Sequence, residues 1–190
     1  ISLMSQQARE RQKRKENIAE YLLYMWQVVD LLRAECLDMD RVERDIVSRY
    51  NVSPEQLTEI RDWYENLVLM MQKENLQNGG HLQINKNLII TLTDLHLQLL
   101  ESPKFADYSA AFYQTLPYIV QLRNKAGDNK VGEVETCFNA LYGMLMLRLQ
   151  RKDISEDTTK ALAQISKFVA LLASYFKKDE EHPLFAEEDK

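Results

Sequence analysis

The sequence predicts an all-α protein: a single up-and-down helical bundle of about seven helices, with no sheet. Three observations lead there. Apolar residues return every three or four positions over long stretches, helix start signals recur along the chain, and the connections between the helical stretches are short. Glycine and proline number five and four in 190 residues, about 5% where roughly 12% is average. Few tight turns are then available for a β or Rossmann-like fold.

The expected helices run approximately over 6–35, 41–50, 54–77, 84–101, 104–125, 131–152 and 156–177. The first, NIAEYLLYMWQVVDLLRA from Asn17, is apolar on most sides and belongs in the core. Asp40 with Glu43 reads as a capping box for the second. Ser53-Pro54-Glu55-Gln56 starts the third, with a hydroxyl for orphan amides, a proline at the first helical position and a Gln that reaches back. Gly79-Gly80 reads as its stop.

In the fourth helix Leu88, Leu92, Leu95 and Leu99 form the core stripe. Ser102-Pro103 starts the fifth, Pro117 inside it should kink it near Tyr113, and Gly127 ends it. The sixth carries no charge from Thr136 to Leu147, and its small side of Thr136, Asn139, Ala140 and Gly143 lets a neighbour approach closely. Ser155-Glu156-Asp157 opens the seventh, with two acids where the helix dipole favours them, and Leu162, Ile165, Phe168, Val169, Leu172 and Phe176 face inward.

This division gives a basic N-terminal extension over 1–16, helical or frayed, a bundle domain over 17–177 and an acidic, disordered tail over 178–190. The longest uncharged run, Tyr108 to Leu122, has 15 residues, short of the roughly 20 a membrane span needs. No leader pattern precedes the first helix, and Cys36 and Cys137 lack CxxC spacing. These features point to a cytoplasmic protein with no membrane partner. A net charge of −5 argues against a broad nucleic-acid surface.

The three histidines are the first place to look for chemistry. With 100° per residue, His96 falls about 80° from Leu88 and Asp94 about 240° from it, so the two point to different sides and form no Asp-His dyad. His96 is expected at the apolar edge as a hydrogen-bonded structural residue, Asp94 as a solvated or interhelical carboxylate, and His81 as a helix-entry residue. No HxxxH, ExxH or cysteine pair supplies a metal site, and GDNKVG from Gly127 lacks the Lys and hydroxyl of a phosphate loop. Cys137 shares the apolar arc of its helix, where a thiol stays protonated. No catalytic residue, metal or cofactor is expected.

Charged and polar groups directed toward the core are better candidates. Glu20 and Tyr24 share a side of the first helix, with Asp30 farther round. Glu135 lies between the directions of Tyr142 and Met146, and Arg148 between those of Cys137 and Leu141. With His96 they form the candidate buried polar network, or a ligand pocket between the first, fourth and sixth helices. Arg9, Arg11, Lys13, Arg14 and Lys15 are the candidate nucleic-acid contact, although Glu10 and Glu16 interrupt them and no aromatics interleave.

Three stretches carry a resemblance: NIAEYLLYMWQVVDLLRA from Asn17, GHLQINKNLIITLTDLHLQLLESPKF from Gly80 and EVETCFNALYGMLMLRLQRKDIS from Glu133. Together they resemble a Bacteroidetes family of all-helical cytoplasmic proteins, domain-of-unknown-function family 4924, over approximately 17–177. The resemblance implies the fold and no reaction or functional residue. By elimination the expected function is non-enzymatic: protein-protein association, including self-association as a homodimer. A small-molecule binder or enzyme using the polar residues above is the first alternative. Nucleic-acid association through the basic arm is the second.

Overall fold

A computed structural model describes residues 6–127 and 131–186. Among the described residues the chain forms eight α-helices and no strand: α1 (Gln6–Glu16), α2 (Ile18–Ala34), α3 (Met39–Asp45), α4 (Pro54–Lys73), α5 (Gln83–Glu101), α6 (Ala106–Lys125), α7 (Glu133–Leu149) and α8 (Glu156–Glu181). Short 3-10 turns stand at Val47–Arg49 and Pro103–Phe105. The chain divides into two compact units, 1–87 and 88–190. None of the helices in the described residues is long and apolar enough to cross a membrane.

In the first unit the expected single helix over 6–35 is two helices. Asn17 breaks it with φ −154° and ψ 100°, and its side-chain oxygen accepts from the amides of Ala19 and Glu20. That is an N-cap, which satisfies two orphan donors at the start of α2. α2 buries nine residues, among them Leu22, Met25, Trp26 and Leu32, as its apolar circumference requires. Cys36 and Leu37 then turn the chain with φ 56° and 55°. The cap of α3 is Asp38, two residues before the expected Asp40. Glu43 instead pairs with Arg61 of α4 at 2.7 Å.

The Ser53 capping box forms as expected, with Gln56 reaching back to the Ser53 amide. α4 stops at Lys73, earlier than the double glycine suggests. Asn75 adopts φ 58° and the Leu76 amide returns to the Met71 carbonyl, a left-handed cap that Asn tolerates. Gly80 has a separate role: at φ 93° it lets the chain pass Leu76, whose Cδ2 lies 3.0 Å from where a Cβ would stand. Arg33 staples this connection to α2 by donating to the Leu76 and Gly80 carbonyls, each at 3.0 Å.

The second unit packs α6, α7 and α8 against one another. Its core is aromatic: Tyr108, Phe112, Phe138, Phe168 and Phe176 are buried. Gln164 of α8 donates to Thr115 of α6 at 3.1 Å, and Tyr175 of α8 donates to the Asp107 carboxylate at 2.8 Å. α6 continues through Pro117. Pro117 and Tyr113 both lie on the exposed side, where a carbonyl without its helical donor costs least. α7 is buried only in its first half, at Val134, Thr136, Cys137, Phe138 and Leu141. On its small side Gly143 faces open space rather than a close neighbour.

The C-terminal end differs from the expected division. α8 continues to Glu181, its final turn occupying part of the expected disordered tail, and the Leu184 amide donates to Asp179 at 2.8 Å. Phe185 meets the Phe105 ring at 5.6 Å. Residues 1–5, 128–130 and 187–190, which belong to the expected extension, the GDNKVG loop and the tail, lie outside the described residues.

Candidate functional site

The second unit holds a polar cluster inside its aromatic core. α5 presents His96 inward and Asp94 to solvent, as the helical angles require. His96 is 1% exposed and Tyr108 0%. The His96 Nδ1 and the Tyr108 hydroxyl lie 2.5 Å apart. The Phe112 and Phe168 rings close over the imidazole, edge to face, with centroids at 4.8 and 5.8 Å. On the other side of the ring, Nε2 lies 3.4 Å from Glu133 Oε2 of α7. That nitrogen lacks an aligned hydrogen bond, so the contact is electrostatic.

Burial lowers the His96 pKa from the ordinary 6.5, and Glu133 opposes the shift. Burial also holds the Tyr108 hydroxyl well above its usual range and pushes the Cys137 thiol up to about 12, in both cases helped by Glu133. Carboxylate, imidazole and hydroxyl thus stand in the order of a nucleophilic relay. The relay ends in a phenol with no exposed surface, protonated and enclosed by rings. The arrangement locks α5 to α6, with only the Glu133 carboxylate partly exposed.

A second polar cluster sits in the first unit. Glu10 of α1 accepts from the Trp63 indole N–H at 2.7 Å and from the Tyr21 hydroxyl at 3.3 Å. Beyond Tyr21, Asn85 Oδ1 lies 3.4 Å from the same hydroxyl, while its Nδ2 is buried without a partner. A phenol has one proton and a carboxylate only accepts. Turning the Asn85 amide over lets its nitrogen donate to Tyr21 while Tyr21 donates to Glu10, which gives the phenol proton to the carboxylate. Burial and Glu10 together raise the Tyr21 pKa far above its usual value. Gln6 donates to the Tyr24 hydroxyl at 3.0 Å, and the Lys13 ammonium stands 4.5 Å from the centre of the Tyr24 ring.

The six residues expected as a buried network divide. Glu20, Asp30 and Arg148 are exposed, and Asp30 pairs with Arg33 at 2.8 Å. They are no part of a buried network, because the apolar helices leave enough polar arc for charged groups to face water. Tyr24 is half-buried against α1, and Glu135 is half-buried on α7. His96 meets a carboxylate, but that of Glu133 rather than Glu135. Of the basic run, Arg9, Arg11, Arg14 and Lys15 are exposed, whereas Lys13 faces Tyr24. His81 stacks on Trp26, centroids 4.2 Å apart, and burial with nearby Arg33 lowers its pKa.

Sequence reasoning missed Glu10, Tyr108 and Glu133. Tyr108 and Glu133 are distant in sequence from His96, and Glu10 is masked by the basic residues around it. The spacing Gln6, Glu10, Lys13, one face of a helix, is the signal that could have exposed the last. Among the described residues no group of three or more His, Cys, Asp or Glu could hold a metal ion. No curated protein and no solved structure matches the chain. A family model does match, over residues 8–182, so both the basic run and the end of α8 fall within it. The chain belongs to the family described as Domain of unknown function (DUF4924).

Proposed function

We propose that the protein acts through protein-protein association rather than catalysis, in the cytoplasm, with a homodimer among its assemblies. One observation carries this reading. On α5, Ile90 and Leu97 are 57% and 52% exposed, and on α6, Tyr113 and Val120 are 64% and 48% exposed. Each pair is seven residues apart and so shares one face of its helix, the spacing of a helix-to-helix seam. Large apolar side chains in register are the kind of surface a protein partner covers.

The cytoplasmic setting draws support from two cysteines kept as thiols. The expected single up-and-down bundle belongs to the same proposal, and its support is the short helix connections. One cooperative calorimetric transition is its expected result; two separable transitions would contradict it.

Sedimentation of the full chain, alone and with its host's soluble proteins, tests the association. The expected outcome is a stable assembly that Ile90→Glu with Leu97→Glu, or Tyr113→Glu with Val120→Glu, abolishes while helicity is retained. A strictly monomeric protein that captures no partner would end the proposal.

A further inference from the structure

α1 is attached to the first unit in an unusual way. Its sequence, QQARERQKRKE, offers no apolar side chain larger than alanine. Its grips are polar: Gln6 on Tyr24, Glu10 on Trp63 and Tyr21, and Lys13 over Tyr24. The receiving side is built from core residues. Trp63 and Tyr21 are buried in α4 and α2, and their two donors converge on the two oxygens of one carboxylate. The site is therefore a carboxylate receptor, filled by the chain's own first helix.

The link between guest and receptor is Asn17 alone. Its amide already donates to the Lys13 carbonyl at 2.9 Å, and its carbonyl already accepts from the Tyr21 amide at 3.1 Å, both bonds of helical type. Only the extended backbone at this residue and the two side-chain cap bonds hold the corner. Turning Asn17 helical would replace those cap bonds with backbone bonds and join α1 and α2 into one helix. The flanking residues, KRKENIAEYL, contain no glycine or proline to oppose it. The arm would then extend roughly 16 Å beyond the start of α2, at 1.5 Å per residue.

We propose that α1 is an exchangeable arm, and that its partner is a second copy of this chain: Asn17 opens, and the Glu10 of each copy fills the Trp63–Tyr21 site of the other. A second copy is favoured over a foreign acidic peptide because it brings Gln6, Glu10 and Lys13 at the spacing the three grips require. A one-residue hinge is the kind of link that favours such exchange. This narrows the association reading to one partner through a different surface, so each can fail without the other.

The test is sedimentation velocity of the full chain across a wide concentration range, with Asn17→Ala and Asn17→Gly. Alanine removes the cap and favours the straight helix. Loss of a cap shifts the balance about fivefold per hinge, about twenty-five-fold for a dimer that opens two. Glycine retains most of the cap and disfavours the helix, so it should hold the protein monomeric. In an Asn17→Ala dimer mixed from differently isotope-labelled copies, amides of α1 should stay protected and the contacts of α1 to Trp63 and Tyr24 should run between copies. Equal dimerisation of wild type and both hinge variants would overturn the proposal. So would a dimer whose α1 contacts run within each copy, and if the Ile90 and Leu97 variants abolish that dimer, the association reading stands and arm exchange does not. Should Asn17→Ala fail to fold, wild type against Asn17→Gly decides: a dimer no weaker with glycine refutes the exchange.

Discussion

Replacing Tyr108 by phenylalanine should cost more than the loss of one surface hydroxyl. The ring stays in place between Phe168 and Tyr175, so packing changes little. What is lost is the 2.5 Å contact with His96 Nδ1, and what remains is a buried imidazole nitrogen with no partner. A hydrogen bond contributes about 1 kcal/mol net, and orphaning its partner costs about 1–3 kcal/mol. A destabilisation of about 2 kcal/mol follows, which lowers Tm by about 4–8 °C in a chain of this size. Differential scanning calorimetry at pH 8, where His96 is neutral, reads it directly. The double variant Tyr108→Phe with His96→Leu removes both partners and should cost less than the sum of the single changes. A Tyr108→Phe protein within about 0.5 kcal/mol of wild type, a change typical of uncommitted surface sites, would refute the reasoning.

The His96 shift also sets a pH dependence. Its folded pKa lies below 6.5 because burial disfavours the charged ring. The unfolded chain then binds more protons, so the contribution is present above 6.5 and is lost as pH falls through the folded value. His96→Leu should flatten the acid side of the stability profile, and an unchanged slope would contradict the assignment. Glu10→Ala should cost about 1–3 kcal/mol by leaving the buried Trp63 indole N–H unpaired, and the shift of tryptophan emission on α1 release reports it. Gly80→Ala should cost roughly 1–2 kcal/mol from its positive φ, with the Leu76 side chain yielding to the added methyl. Chemical denaturation measures that loss.

Much of the helical content was legible because cap and stripe chemistry is local. Ser53 and Ser155 cap as their sequences indicate, and the Leu88 to Leu99 stripe is buried. Asn17 was less visible: among good helix formers it reads as continuation, although Glu20 three residues later completes an N-cap pattern. Asn75 was eclipsed by the adjacent glycines. At the site, the helical angles separated His96 from Asp94, since that needs one helix alone. Glu133 and Tyr108 needed the packing of three helices. The exposure of Glu20, Asp30 and Arg148 depends on which arc each neighbour covers, and periodicity does not give that.

The central claim is that the buried polar groups hold helices together and that function lies in association. Native mass spectrometry of the protein purified from its own host tests it most directly. The account predicts a stoichiometric protein complex or dimer that the Ile90 and Leu97 or Asn17→Gly variants lose, with no retained small molecule. A monomer carrying a bound metabolite or metal would contradict it.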